Sequence, residues 1–123
     1  MIAISESQMV EYRATAAKRK RWEAERLAQR HQFAWEIAQR AATILKAEFG
    51  AKRVCVFGSL LEQSQFHTNS DIDLAAWGID EKLYLRAVSR LLSLSPEITF
   101  DLVRMEEATS ALSKHIVETG IAL

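Results

Sequence analysis

The chain has 123 residues, of which 49% are hydrophobic and 26% are charged. This size suits one globular domain, and the composition argues against a disordered tail or a disulfide-built miniprotein. The 16 basic and 16 acidic residues cancel, so the whole molecule is not a polycation of the kind that coats nucleic acid. The single cysteine, Cys55, allows no internal disulfide, which favours a reducing, cytoplasmic location. The sequence predicts neither a membrane-spanning segment nor a signal peptide.

Charge and composition change together near Gly50. Residues 1–50 carry nine Lys or Arg and six Asp or Glu, whereas residues 51–123 carry seven and ten. Neither Gly nor Pro occurs before Gly50, and good helix formers dominate that segment. We therefore predict an N-terminal helical extension over residues 1–50 and a core over residues 51–123, together one structural domain. The basic run at residues 18–21 could contact nucleic acid or an acidic partner, although a solvated helix face is equally compatible with it. The extension could also join the chain to a second copy or to a partner in an oligomer.

The extension is predicted to form one long helix, or two consecutive helices with a break near residues 31 and 32. Ser5 or Ser7 could cap its start, and Gly50 is the natural end. Residues 5–30 contain few large apolar side chains, so we expect them to be poorly buried. Farther along, apolar residues recur every three or four positions and predict a face that packs on the core: Phe33, Ile37, Ala41, Ile44 and Leu45.

After Gly50 the pattern becomes that of an α/β (α+β) domain. Short apolar runs bounded by turn residues predict strands, and amphipathic stretches between them predict helices. We expect a small mixed β-sheet with helices packed on it. The predicted strands cover residues 53–57, 71–77 and 97–103, and the predicted helices cover residues 80–94 and 106–118.

Two short motifs, a glycine-serine pair and a pair of aspartates, lie at the ends of predicted strands. Gly58 and Ser59 follow the first strand directly, where glycine lets a phosphate approach the backbone. A helix beginning at Leu60 would point its free N–H groups at that phosphate. Asp71 and Asp73 lie two residues apart on the second strand and so face the same way. Such a carboxylate pair suits Mg²⁺ or Mn²⁺, although a solvated acidic strand end is the simpler interpretation.

Asp101 interrupts the apolar pattern of the third predicted strand. Apolar residues at 98, 100 and 102 share one face of that strand, while Thr99 and Asp101 share the other. The carboxylate could be an edge-strand charge that prevents aggregation. It could also be a third metal ligand, or a base that takes a proton from an attacking hydroxyl.

The order of these motifs resembles the nucleotidyltransferase superfamily related to DNA polymerase β. More narrowly, it is similar to the minimal nucleotidyltransferases, the MNT half of prokaryotic HEPN/MNT toxin–antitoxin pairs. The resemblance covers more than half of the chain and rests on four segments: residues 56–59 (VFGS), 70–74 (SDIDL), 100–103 (FDLV) and 116–121 (IVETGI).

The resemblance implies a function and a set of site residues. The enzyme would be an antitoxin that transfers AMP from ATP to a hydroxyl group, that of a tyrosine side chain, in a cognate HEPN ribonuclease toxin. Gly58 and Ser59 would bind the nucleotide's phosphates. Two Mg²⁺ ions, or Mn²⁺, would be held by Asp71, Asp73 and Asp101, with Asp71 and Asp73 on the triphosphate metal. Asp101 would help to hold the second metal and activate the acceptor hydroxyl.

The sequence departs from the family pattern just after the glycine-serine motif. Relatives often carry a basic residue there, but no Arg or Lys lies between Ser59 and Asp71, and Glu62 is acidic. His67, Lys52, Arg53 or the N-terminal extension could supply the missing positive charge. One alternative is an antitoxin without catalysis that inhibits its toxin by stoichiometric binding. Another is a regulatory nucleic-acid binder that uses the basic extension, although nucleic acid is not the partner we expect.

Overall fold

The fold is built on a four-stranded mixed sheet, seen in a computed structural model that describes residues 3–67 and 69–123. Its strand order is β3-β2-β1-β4, with β1 antiparallel to β2 and β4, and β2 parallel to β3. The predicted fold class is therefore confirmed. The strands are β1 Arg53–Phe57, β2 Ile72–Trp77, β3 Phe100–Arg104 and β4 Ile121–Ala122, and the helices are α1 Glu6–Phe49, α2 Tyr84–Leu92 and α3 Ser110–Thr119.

Helix α1 is one continuous helix of 44 residues, without a break near residues 31 and 32. Ser5 caps its start: its hydroxyl accepts from the N–H of Gln8, and the Gln8 side chain accepts from the N–H of Ser5. The helix ends at Gly50, whose φ of +74° lies in the left-handed region. Both ends therefore lie at residues that the sequence marks as helix boundaries.

Only the second part of α1 belongs to the hydrophobic core. Trp22 is 56% exposed, as the few apolar residues of that segment led us to expect. The prediction for Phe33 was wrong, since it is 40% exposed. At 3.6 residues per turn, Phe33 points about 110° away from the centre of the buried face. The buried residues of α1 are Ala34, Ile37, Ala38, Ala41, Ala42 and Leu45.

The two faces of the sheet contribute to two hydrophobic clusters. Even-numbered residues such as Val56 and Leu74 pack with residues of α1 and α2. Odd-numbered residues such as Cys55 and Ala75 pack with Ile116 of α3. Burial also raises the pKa of the Cys55 thiol, which lowers the fraction of thiolate at neutral pH.

The predicted boundaries differ from the structure where short turns replace regular helix or strand. The helix predicted from residue 80 starts as a 3-10 turn, Glu81–Leu83, before α2. Thr109 caps α3 with its side chain, so that helix begins at Ser110 rather than at residue 106. Strand β4 was not predicted, and it adds to the edge of β1 through the pairs Cys55–Ala122 and Val56–Ile121. None of the helices in the described ranges is apolar over a length that could cross a membrane.

Candidate active site

The glycine-serine motif forms a tight turn at the end of β1. Gly58 has a φ of +78°, a left-handed conformation that favours glycine. The chain then makes a 3-10 turn, Gly58–Leu61, that buries Leu60. No α-helix begins at Leu60, so the condition for a helix N-terminus at this turn is not met. The reason is local: after one turn the chain becomes extended again at Glu62.

Gly58 is in direct contact with the carboxylate of Asp73 on the neighbouring strand. β1 and β2 pair so that Phe57 lies opposite Asp73, which brings the start of the turn beside that side chain. A Cβ added at position 58 would stand 3.1 Å from Cγ of Asp73 and would overlap its Oδ2. Position 58 therefore requires glycine for two reasons, its backbone conformation and this close approach.

Asp101 lies beside Asp73 on the parallel strand β3. The register pairs Asp73 with Asp101, and Cα atoms of neighbouring strands are about 4.8 Å apart. Paired residues point to the same face of a sheet, so both carboxylates lie on the face that carries Phe57 and Ala75. The sheet register therefore brings together two aspartates that are 28 residues apart in the sequence.

Asp71 lies just before β2 and is held by the residue just before β3. Its Oδ1 accepts a hydrogen bond from the Thr99 hydroxyl. The N–H of Ile72 donates to the carbonyl oxygen of Thr99 at 2.9 Å, which fixes the two chains at this end of the sheet. Thr99 therefore positions Asp71, a role that the sequence analysis did not assign to it.

The three carboxylates interact electrostatically, and Asp73 is the one most affected. Its pKa rises from 3.8 to about 6, first because the half-buried carboxylate is desolvated, and then because Asp101 and Asp71 are negatively charged. Crowded carboxylates of this kind disfavour one another's ionised form unless a cation lies between them. The arrangement thus favours binding of a positive charge at the Gly58 turn.

The chemistry of this donor set fits a divalent cation, but the side chains do not form a complete metal cage. Carboxylate oxygens are the ligands that Mg²⁺ prefers, usually one or two of them completed by water and phosphate oxygens. Across residues 3–67 and 69–123, no three His, Cys, Asp or Glu side chains are placed so that they could hold an ion together. Asp71 is turned toward Thr99, so it would have to rotate to join Asp73 and Asp101.

His31 connects α1 to the glycine-serine turn. Its Nε2 donates to the carbonyl oxygen of Leu60 at 2.7 Å, and its ring makes edge contacts with Phe66 and Trp35. Its partner is 29 residues away, so nothing in the local sequence could have indicated this contact.

The basic residues that the sequence offered from β1 do not lie at this turn. Arg53 is at the opposite end of β1 from Phe57, about 13 Å away at the rise of a β-strand. Its guanidinium stacks on the Trp77 ring, 4.8 Å from the ring centroid. Lys52 lies at that same end, where its N–H donates to the carbonyl oxygen of Trp77. Both residues are therefore too distant to neutralise a phosphate at Gly58.

Comparison with known protein families identifies the class of this fold. A family model described as polymerase beta, nucleotidyltransferase, matches residues 39–123, which is more than half of the chain. The chain therefore belongs to the polymerase beta nucleotidyltransferase family, and the resemblance stated from its motifs is confirmed. No curated protein matches the chain significantly.

Solved structures of similar fold are toxin–antitoxin complexes. The chain is similar to a chain of the toxin–antitoxin MntA-HepT, with 21% identity, a TM-score of 0.55 and coverage of 72% of this chain and 69% of that one. It is also similar to a chain of a toxin–antitoxin solved with AMP-PNP, with 26% identity and a TM-score of 0.56. That match covers 65% of this chain and 66% of the other.

Proposed function

We propose that this chain is an antitoxin that transfers AMP from ATP to the hydroxyl group of a tyrosine in a cognate HEPN toxin. The observation that carries the proposal is the convergence of Asp73, Asp101 and the Gly58 turn. Asp73 is packed against Gly58 and paired in register with Asp101. This is the arrangement that a metal-dependent attack on the α-phosphate of a nucleotide needs, because carboxylates and a close backbone must meet at one point.

The proposed chemistry assigns a role to each residue of the site. The glycine-serine turn, Gly58 and Ser59, would bind phosphate oxygens of ATP. Asp71, Asp73 and Asp101 would hold Mg²⁺, which supplies neutralisation of the charge that develops on the phosphates. The acceptor oxygen forms a bond to the α-phosphorus, the bond to the β-phosphate oxygen breaks, and pyrophosphate leaves.

Removal of the acceptor proton is assigned to Asp101. A tyrosine hydroxyl has an ordinary pKa of about 10, so little of it is ionised at neutral pH and a base increases its reactivity. Asp101 is exposed at its position on β3, where an incoming protein side chain can reach it. Asp73, by contrast, is half-buried against Gly58, which suits a residue that stays with the nucleotide.

Support for the partner comes from the similar solved structures. They are complexes of a toxin with an antitoxin, and one of them was solved with AMP-PNP, an analogue of ATP. The nucleotidyltransferase family of the chain and the nature of these neighbours together favour a protein acceptor. A gene for a small helical HEPN protein beside the gene for this chain would identify the acceptor to test.

The decisive experiment is intact-mass spectrometry of that HEPN protein after incubation with this chain, ATP and Mg²⁺. We expect a mass gain in whole AMP units with the native chain and none with the double variant Asp71→Asn, Asp73→Asn. Asp80→Asn is the matched control, because Asp80 lies beyond the far end of β2, where its carboxylate accepts from the N–H of Lys82. That control should retain transfer.

One observation favours a second function. No Arg or Lys lies between Ser59 and Asp71, so the turn lacks the local cation that many relatives use for phosphate. An antitoxin that works by binding alone would silence the toxin with no mass gain, and the double variant would silence it equally well. That result would contradict the transfer reaction and leave a stoichiometric inhibitor on a transferase fold.

A further inference from the structure

A nucleotide site with three carboxylates needs a positive side chain close to the phosphates, and the turn itself contains none. Residues 60–70 include no Arg or Lys, and Arg53 lies at the far end of β1. Several other cations are engaged away from the site. Arg90 pairs with Glu48, Arg104 pairs with Glu107, and Lys46 donates to the carbonyl oxygen of Leu123.

Arg30 of α1 is placed differently, because its side chain reaches the loop that leads into β3. Its Nη2 donates to the carbonyl oxygen of Glu97 at 3.1 Å, across 67 residues of sequence. There it lines a cavity of about 330 Å³ together with Asn69, Ser70, Glu97 and Thr99. The residue that contributes the cation therefore comes from the extension, outside the part of the chain that the family model matches.

This cavity is next to Asp71. Thr99, one of its lining residues, donates a hydrogen bond from its hydroxyl group to Asp71. Ser70, another lining residue, immediately precedes Asp71 and accepts from the N–H of His67 at 2.8 Å. A ligand held at Asp71 therefore has the cavity, and Arg30 on its wall, as its immediate neighbour.

We propose that Arg30 binds a phosphate group of the nucleotide substrate beside Asp71, and thereby supplies the positive charge that the glycine-serine turn lacks. The residues that line this cavity include three with donors for a phosphate, namely the Arg30 guanidinium, the Asn69 amide and the Ser70 hydroxyl, while the Thr99 hydroxyl is bonded to Asp71. This inference rests on the proposed function for the identity of the ligand. Glu97 adds an acidic side chain to the same cavity, so its charge opposes the anion.

The experiment is calorimetric titration of the purified chain with AMP-PNP and with inorganic tripolyphosphate, both in Mg²⁺. Arg30→Gln should weaken the binding of both ligands about 10-fold or more, because both carry the phosphates, and Arg30→Lys should restore part of it. Glu97→Gln should strengthen both, since it removes an opposing charge. Arg26→Gln is the matched control: Arg26 lies one turn away on α1, where it stacks on Trp22, and its replacement should change affinity by less than about twofold.

Several outcomes would overturn the proposal. Unchanged AMP-PNP binding in Arg30→Gln would refute it while the transfer reaction could still be intact in the toxin assay. Loss of AMP-PNP binding without loss of tripolyphosphate binding would mean that Arg30 acts on the nucleoside or only holds α1 in place. The phosphate bound by Arg30 could instead belong to a nucleic acid, and titration with a short single-stranded RNA tests this alternative. If Arg30→Gln binds the RNA more weakly but AMP-PNP as well as the native chain does, the assignment is contradicted.

Failure of the proposed function gives a different result from failure of this inference. If the native chain binds neither AMP-PNP nor tripolyphosphate, both ideas are wrong, and an inhibitor that acts by binding is favoured. The melting temperature of each variant, measured without ligand, shows whether Arg30→Gln has disturbed folding. Glu97→Gln keeps the proposal falsifiable in that case, because it must strengthen binding of both phosphate ligands in an otherwise native chain.

Discussion

The carboxylate of Asp73 fills the space that a side chain at Gly58 would occupy. Two sequence motifs 15 residues apart are thus one structural unit, since the Asp73 carboxylate can occupy this space only because residue 58 has no side chain. The same contact removes part of the water around Asp73, which contributes to the rise in its pKa. Geometry and electrostatics of the candidate site are therefore coupled at this one contact.

Substituting Gly58 tests this coupling. Gly58→Ala should cost about 1–2 kcal/mol through its positive φ, and should also displace the Asp73 carboxylate. Gly50→Ala is the control: Gly50 has a φ of +74°, but a Cβ there meets nothing within 4 Å. We expect similar losses of stability in urea titrations, but a loss of AMP transfer of about 100-fold in Gly58→Ala only. Equal transfer by both variants would contradict the proposed role of the contact.

The pKa of Asp73 predicts a pH dependence of stability in metal-free buffer. Because its folded-state pKa is about 6, above its ordinary value of 3.8, the folded chain retains this proton to higher pH than the unfolded chain. The contribution of this proton to the free energy of unfolding is largest below about pH 4, decreases as the pH rises toward 6, and no longer changes above that pH.

The variant Asp73→Asn reports this effect, because asparagine stays neutral at every pH. Its melting temperature should match that of the native chain near pH 4 and exceed it by a few degrees near pH 7.5. A difference between Asp73→Asn and the native chain that is the same at both pH values would show that Asp73 does not titrate as described.

Magnesium should reverse the repulsion among the carboxylates. With AMP-PNP present, Mg²⁺ is expected to raise the melting temperature of the native chain at neutral pH, and EDTA should abolish the gain. Binding at about 100 times the dissociation constant stabilises a fold by roughly 2.7 kcal/mol. Asp73→Asn and Asp101→Asn should each reduce the gain, since each removes an oxygen donor. If both variants gained as much in melting temperature as the native chain, the metal would have to bind elsewhere.

His31 offers a test of how α1 supports the turn. His31→Phe keeps an aromatic ring against Phe66 but leaves the Leu60 carbonyl without its hydrogen-bond donor. Loss of a partner by a part-buried carbonyl costs about 1–3 kcal/mol. His115→Phe, at an exposed position of α3, should be close to neutral. Chemical denaturation of the two variants makes the comparison, and equal stabilities would mean that the His31 bond contributes little.

Local patterns were enough to predict the parts of the fold that lie next to each other in the sequence. β1 was predicted with its bounds correct, because a short apolar run between a charged residue and a glycine is in itself a signal for a buried strand. β4 was missed because two residues carry no periodicity, and only their pairing with Cys55 and Val56 makes them a strand.

The same limit applies to the candidate site. The motifs indicated Asp71, Asp73 and Asp101, and the register of β2 and β3 places the last two side by side. Thr99 and Arg30 could not be found in this way. Thr99 is recognisable only through its bond to Asp71, and Arg30 is separated from Glu97 by 67 residues.

The continuity of α1 fixes an angular relationship within the molecule. Because each residue turns an α-helix by about 100°, the direction in which Trp22 and Arg26 point is determined by the buried turns that begin at Ala34. Inserting one alanine between positions 28 and 29 would leave the core untouched, yet it would rotate the exposed segment by more than a quarter turn around its own axis. Inserting seven, close to two full turns, would nearly restore the direction and only lengthen the helix by about 10 Å. Natural variation in the length of this segment is therefore expected to favour steps of whole turns wherever a partner meets the exposed part of the helix.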